Sequence, residues 1–321
     1  MSIKELTQFR LQDLSLYRSE LMGWSIVWIM MLHFTFTQIS PLGFIAQYGF
    51  AGVEIFMFVS GLGLWFSLDK DSRLLPFYRK RLFRIFPTYF AIGIFTSLFV
   101  FHDGLFTCLL RYTTLGFWTN GPYFEWYIPS IIFLYLLAPL FKQFVTARLL
   151  PAVLLFSIAV LVISYCLVEK GHLIDNDHYF LLYRIPAFLF GMVCAYWLKH
   201  GISPATFLVI ALLAVPFFIW LYPQHHAVYR YKYLSVFFLM PAFILCFCTI
   251  SKLAPFTRPL IGRMGAASLE IYLIQQTFFF AIINGRLSVP EIWHDTLTIS
   301  LIIGSTLLGL AAHRLFQRIG I

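Results

Sequence analysis

Charge is scarce in this 321-residue chain: Asp, Glu, Lys and Arg together make up 12% of it. That is about half the share of an ordinary soluble domain, and it excludes a soluble globular class. Metal-ligand spacing is missing too. The five cysteines, Cys108, Cys166, Cys194, Cys246 and Cys248, lie within or beside apolar stretches, and Cys246-x-Cys248 is not a zinc pattern, so no metal is expected. Met1 to Ser19 is polar and of mixed charge, without the apolar core of a cleavable signal, so the first spanning helix is expected to direct insertion. There is no low-complexity tract, no internal repeat and no stretch between apolar segments long enough for a soluble domain. One unit over residues 1–321 is expected, with 1–20 as an amphipathic lead-in.

What fills the chain is hydrocarbon. Hydrophobic residues make up 60%, Phe alone contributes 37, and the mean hydropathy is +0.81. This is the composition of an all-α, polytopic membrane protein. Segments near 21–39, 50–68, 86–103, 123–141, 149–168, 181–199, 203–222, 234–250, 266–284 and 296–313 read as about ten spanning helices, with 69–85 and 104–122 as the longest loops. If both termini are cytoplasmic, 17 of the 23 Lys and Arg fall on the cytoplasmic side and 6 outside. That follows the positive-inside rule, so the net charge of +9 is assigned to topology rather than to nucleic acid.

Against this background four polar groupings stand out. His33 ends an almost unbroken apolar run, and Glu54 sits in Gly52-Val53-Glu54-Ile55-Phe56-Met57-Phe58-Val59-Ser60-Gly61. A titratable group in a spanning segment asks for a functional reason. At about 1.5 Å per residue His33 lies roughly 16 Å beyond Met22. Glu54 is one turn below the outer end of a descending helix, so the two share a depth. A carboxylate on one imidazole nitrogen would leave the other free as a general base. Arg79, Lys80, Arg81 and Arg84 crowd the start of the third span. They admit two accounts, topology anchoring or a phosphate site. Glu125, Trp126 and Tyr127, with Arg184, gather near the outer side, either as belt and structural ion pair or as contacts to a polar acceptor. Tyr272 and Gln275 bring polar groups to mid-membrane in the ninth span.

Together these blocks resemble the membrane acyltransferase-3 family, the integral-membrane O-acyltransferases of bacterial type, over nearly the whole chain. The apolar helix ending in His33, the Gly52–Gly61 segment, Arg81-Leu82-Phe83-Arg84-Ile85-Phe86-Pro87, Trp126-Tyr127, Tyr183-Arg184-Ile185-Pro186-Ala187-Phe188 with Gly191, and Ser268-Leu269-Glu270-Ile271-Tyr272-Leu273-Ile274 follow the family's order. Two positions depart from it. Met22 stands where the family has arginine, with Arg18 one turn earlier as substitute, and Gln275 stands where it often has histidine.

The resemblance implies an acyl-CoA donor, usually acetyl-CoA, reached from the cytoplasm as a substrate with no permanently bound cofactor. It implies a hydroxyl acceptor on a cell-surface glycan or its lipid-linked precursor, and a place in the inner (plasma) membrane. Arg79, Lys80, Arg81, Arg84 and Arg18 would hold the CoA phosphates. His33 would act as base or acyl relay, oriented by Glu54. Glu125, Trp126, Tyr127 and Arg184 would meet the acceptor, with Ser60, Tyr272 and Gln275 in support. The rival expectation is a transporter or flippase for a lipid-linked or small polar metabolite, which would favour paired, interrupted helices in two halves.

Overall fold

The computed structural model describes residues 9–34, 41–119, 121–171, 178–201, 204–221, 229–283 and 294–320. Among these there is no β-strand. The principal helices are α1 (Arg18–Phe34), α2 (Ala51–Lys70), α3 (Leu74–Thr96), α4 (Leu105–Tyr112), α5 (Tyr127–Phe144), α6 (Leu150–Gly171), α7 (His178–His200), α8 (Pro204–Leu221), α9 (Tyr229–Leu253), α10 (Arg258–Ala266), α11 (Ser268–Ile283) and α12 (His294–Arg318).

Each of the ten segments marked by hydropathy holds one helix. Among the described residues, six helices (α2, α3, α5, α6, α7 and α12) are long and apolar enough to cross a membrane on their own. A seventh span is formed if the end of α9 and α10, bent by 94° about the Pro255–Thr257 turn, count as one. Pro255 and Pro259 explain the break, since each lacks the N–H that a continuous helix would use, while both are tolerated at a helix start. At 16 residues, α11 is apolar but short for a crossing.

Both expected loops are corrected. Helix α3 begins at Leu74, so only residues 71–73 separate it from α2. Hydropathy hides this because the first three turns of α3 carry Arg79, Lys80, Arg81 and Arg84. Pro76 does not prevent it, lying in the first turn where no N–H is needed. In the short connection, Asp71 accepts hydrogen bonds from the backbone and guanidinium of Arg73, which hold its carboxyl down at about 2. The 104–122 stretch holds α4 and a further turn of helix, Leu115–Trp118. Arg111 ties it down by pairing with Asp103 at 2.8 Å and lying over the Phe101 ring at 4.2 Å.

The centre of the bundle is the α2–α7 pair. Both spans are 78% buried, against 22–39% for α3, α5, α6 and α12. They approach through reciprocal glycines: a Cβ on Gly61 would lie 2.0 Å from the carbonyl oxygen of Phe188, and one on Gly191 would lie 2.0 Å from that of Phe58. Hydrocarbon gives two apolar helices no solvent-driven reason to associate, so close backbone packing at small residues does the work. At one end of the bundle, Asp69 of α2 pairs with Lys199 of α7 at 2.8 Å and Lys142 of α5 at 3.5 Å. Near the same end the lead-in is pinned by Asp13–Lys252 at 2.5 Å and Glu20–Arg258 at 3.0 Å.

A methyl group at Gly191 has to push the two helices apart, at a cost on the order of 1–3 kcal/mol. Gly191→Ala is therefore expected to lower the midpoint of thermal unfolding in detergent by several degrees. Gly262→Ala, where nothing lies within 4 Å of the added carbon, is expected to leave it unchanged. Equal midpoints for the two variants would refute this account of the bundle's centre.

Candidate active site

The polar residues of five helices converge on a cavity of about 270 Å³. Helical periodicity explains its walls. Arg18, Met22 and Ile29 share one side of α1, and Val53, Phe56, Ser60 and Leu64 share one stripe of α2. Arg81, Arg84 and Ile85 come from α3, Ile128, Ile131 and Tyr135 from α5, and Ser268, Leu269 and Tyr272 from α11. Gly265 and Ala266 of α10 close the remaining side.

One end of this cavity is cationic. Arg18 lies across Gly63 of α2, so closely that a Cβ there would sit 2.5 Å from its guanidinium carbon. Arg81 donates from Nη2 to Ser67 Oγ at 2.9 Å. The Nε atoms of Arg18 and Arg81 are buried with no hydrogen-bond partner among the described residues. Among the described residues no Asp or Glu lines the cavity, so three guanidinium groups face it without a carboxylate among those walls. Such a cluster repels itself and attracts an anion. Arg18 and Met22, one turn apart on α1, both line the cavity.

Arg79 and Lys80 do not join this group. Turning 100° per residue, α3 leaves both exposed and outside the cavity walls, with Arg79 over the Phe83 ring at 5.5 Å.

At its other end the cavity is aromatic, with Phe56, Tyr127 and Tyr272 among its walls. Tyr127 and Tyr272 lie 5.2 Å apart between ring centres. Tyr272 donates its hydroxyl to Glu125 Oε2 at 2.9 Å and accepts from Gln276 Nε2 at 3.0 Å. Glu125 also accepts the backbone N–H groups of Tyr127 at 2.5 Å and Ile128 at 2.9 Å, capping α5 where its dipole favours an anion. Trp126 lies under the Arg184 guanidinium at 5.3 Å.

The expected His33–Glu54 dyad is replaced by two other pairs. His33 Nδ1 lies 2.9 Å from Gln275 Oε1, and the His33 ring rests 4.9 Å from that of Phe279. Glu54 instead takes a hydrogen bond from Arg184 Nη1, and both side chains are buried, at 0% and 1% exposure. The reason is axial as well as rotational: Gly49 packs against Trp28 and Leu32 and Gly52 against Ser25 and Ile29, so Glu54 lies about two turns short of His33 along α1. Val53 and Phe56 face the cavity, which turns Glu54 toward α7, where Arg184 waits at the same depth. Neither the axial register of two helices nor the direction a side chain leaves its helix is legible in a sequence.

Neither His33 nor Gln275 is among the cavity walls. The last walls on their helices are Ile29, four residues before His33, and Tyr272, three residues before Gln275. Tyr135 and Gly63 were missed by the sequence reading. Tyr135 was detectable as the one hydroxyl continuing the Ile128-Ile131 stripe, whereas Gly63 carries no signal until Arg18 is seen lying on it.

A bundle of apolar helices around a polar, cation-mouthed chamber with an imidazole one turn beyond it defines an integral-membrane protein with a built internal site. Over residues 21–313 the chain matches the acyltransferase-3 family model, an acyltransferase domain, and it belongs to that family. Neither the curated proteins nor the solved structures yield a match.

The Glu54–Arg184 pair generates a prediction about stability. Arg184→Met strands a carboxylate in the bundle and is expected to cost about 3–5 kcal/mol. Adding Glu54→Gln to it removes the stranded charge and should recover most of that loss. Unfolding curves in mixed micelles for the single and double variants decide this, and a double variant no better than Arg184→Met counts against the pair as drawn.

Proposed function

We propose that this acyltransferase moves an acyl group, acetyl in the first instance, from cytoplasmic acyl-CoA to a hydroxyl of a cell-surface glycan or its lipid-linked precursor. The observation that carries this reading is the Arg18–Arg81–Arg84 cluster at one end of a chamber with no carboxylate among the described residues of its walls. A phosphate-bearing donor with a thin acyl-carrying arm suits such a shape. At about 270 Å³ the chamber falls below the usual size for a drug-sized ligand, so only the pantetheine arm would enter. The nucleotide would remain outside, within reach of the exposed Arg79 and Lys80 on the same turns of α3. In this reading the cationic end faces the cytoplasm, as the 17-to-6 distribution of Lys and Arg requires if both termini lie there, and the protein resides in the inner membrane.

The chemistry would fall to His33. Its Nε2 would take the proton of the acceptor hydroxyl while that oxygen attacks the thioester carbonyl, and thiolate would leave as the leaving group. If Nε2 itself attacks first, the same residue becomes an acyl relay. The Glu125–Tyr272 pair, with Trp126 and Tyr127, would meet the acceptor, Ser60 would line the path of the arm, and Arg184 would act through Glu54 as part of the frame.

Two expected outcomes test the proposal. In membranes of equal expression, radiolabelled acetyl-CoA should label envelope glycan in the presence of the wild-type protein. Label should fall to background with His33→Ala; labelling equal to wild type would remove His33 from the mechanism. Arg81→Ala with Arg84→Ala should raise the KM for acetyl-CoA by about tenfold or more, the loss of two charge-assisted hydrogen bonds. An unchanged KM would mean the cations serve topology alone.

A further inference from the structure

We propose that Gln275 is the positioning residue that makes His33 a base, its side-chain oxygen holding the Nδ1 proton so that the lone pair lies on Nε2. This rests on the reading of His33 given above and extends it to a residue on another helix. The contact is short, at 2.9 Å, and joins α1 to α11 across 242 positions of sequence. Gln275 is 0% exposed, so no water competes for its oxygen. Turned toward the imidazole, the amide oxygen can only accept, so the nitrogen facing it carries the hydrogen. A neutral imidazole has one N–H, and fixing it at Nδ1 leaves Nε2 unprotonated.

Packing alone does not account for an amide at this position. Gln275 Nε2 is buried with no hydrogen-bond partner among the described residues. A leucine or methionine would fill the same volume without stranding a donor, and the residues before it, Leu273 and Ile274, are of that kind. The bond to His33 is what the amide contributes. The Phe279 ring, one turn further along α11, lies against the imidazole and limits its rotation, so α11 fixes both the tautomer and the plane of the base.

With the tautomer set, the reaction closes on itself. Nε2 accepts the hydroxyl proton as the oxygen–carbon bond forms, the carbon–sulfur bond breaks with its electron pair on sulfur, and the thiolate takes the proton back from Nε2. Throughout, Nδ1–H stays on the Gln275 oxygen. Without that acceptor the proton divides between the two nitrogens, and only the Phe279 contact orients the ring. The expected loss is therefore in turnover rather than in donor binding.

The experiment uses the purified full-length protein in detergent, with acetyl-CoA as donor and isolated envelope glycan as acceptor. It compares wild type, His33→Ala, Gln275→Leu, Gln275→Met and Gln275→Glu. Gln275→Leu and Gln275→Met should lower kcat by about 10- to 100-fold with the KM for acetyl-CoA within about twofold of wild type, the range of a lost supporting contact. Gln275→Glu keeps an acceptor oxygen while exchanging the amide donor for an ionisable oxygen, and should return to within a few-fold of the wild-type kcat. The proposal is overturned if both apolar variants keep wild-type kcat. It is also overturned if Gln275→Glu is as slow as they are while unfolding at the wild-type temperature. If the leucine variant is unstable, the methionine variant is read in its place. A His33→Ala protein transferring at the wild-type rate is a different failure: it removes the base itself, whatever the Gln275 variants do.

Discussion

Two helices that are mostly buried set the terms for everything around them. At the Gly61–Gly191 contact α2 and α7 meet backbone to backbone, and toward the other end of α2 Glu54 and Arg184 add an ion pair sealed from solvent. The first contact fixes distance and the second fixes rotation. In hydrocarbon a charge without its partner is several kcal/mol out of place, so α2 cannot turn about its axis without exposing Glu54 to apolar side chains. Locking that rotation is what directs the Val53-Phe56-Ser60-Leu64 stripe to the opposite side. The cavity wall is in this sense a by-product of where the ion pair points.

The same logic separates the polar groups into those that hold the frame and those left with capacity to spare. Glu125 is engaged by two backbone N–H groups and a tyrosine hydroxyl, and Asp69 is shared between two lysines. By contrast, the guanidinium groups of Arg18 and Arg81 and the amide of Gln275 each retain a buried N–H with no partner among the described residues. These atoms cluster at or one turn beyond the chamber. Incomplete satisfaction costs stability, and at these three residues it falls where the proposed substrate would supply the missing partners. Glu54 Oε2, Trp65 Nε1 and Trp197 Nε1 are left unpartnered elsewhere among the described residues.

Much of this was readable from the chain. Hydropathy located a helix in each apolar segment, and motif order gave the family. Residues such as His33, Arg18, Arg81, Glu125 and Tyr272 could be singled out because polar groups in apolar surroundings are conspicuous. What could not be read was how the helices are set against one another, in register and in azimuth. Glu54 and His33 lie about two turns apart along α1, as the packing of Gly49 on Leu32 and of Gly52 on Ser25 and Ile29 sets it, and Arg79 and Arg81 are two residues apart yet lie on different sides of α3. The start of α3 was hidden for a related reason: an amphipathic helical end rich in arginine has the same average hydropathy as a loop. Gln275 was noticed as a departure from a pattern, but its partner is 242 residues away and only folding brings them together.

The short helix α10 shows how far such constraints reach. It runs against the start of α1, with Gly265 under the Ser19 carbonyl and Gly23 under that of Ile261, so the two contacts are four residues apart on each helix and run in opposite directions. Two matched notches at this spacing act as a vernier: they seat together in one axial setting, and a slide of one turn, about 5.4 Å, leaves one of them empty. Arg18 is next to the first notch. The axial position of a charge at the chamber's mouth is therefore indexed by a helix that contributes to that chamber little more than its own backbone.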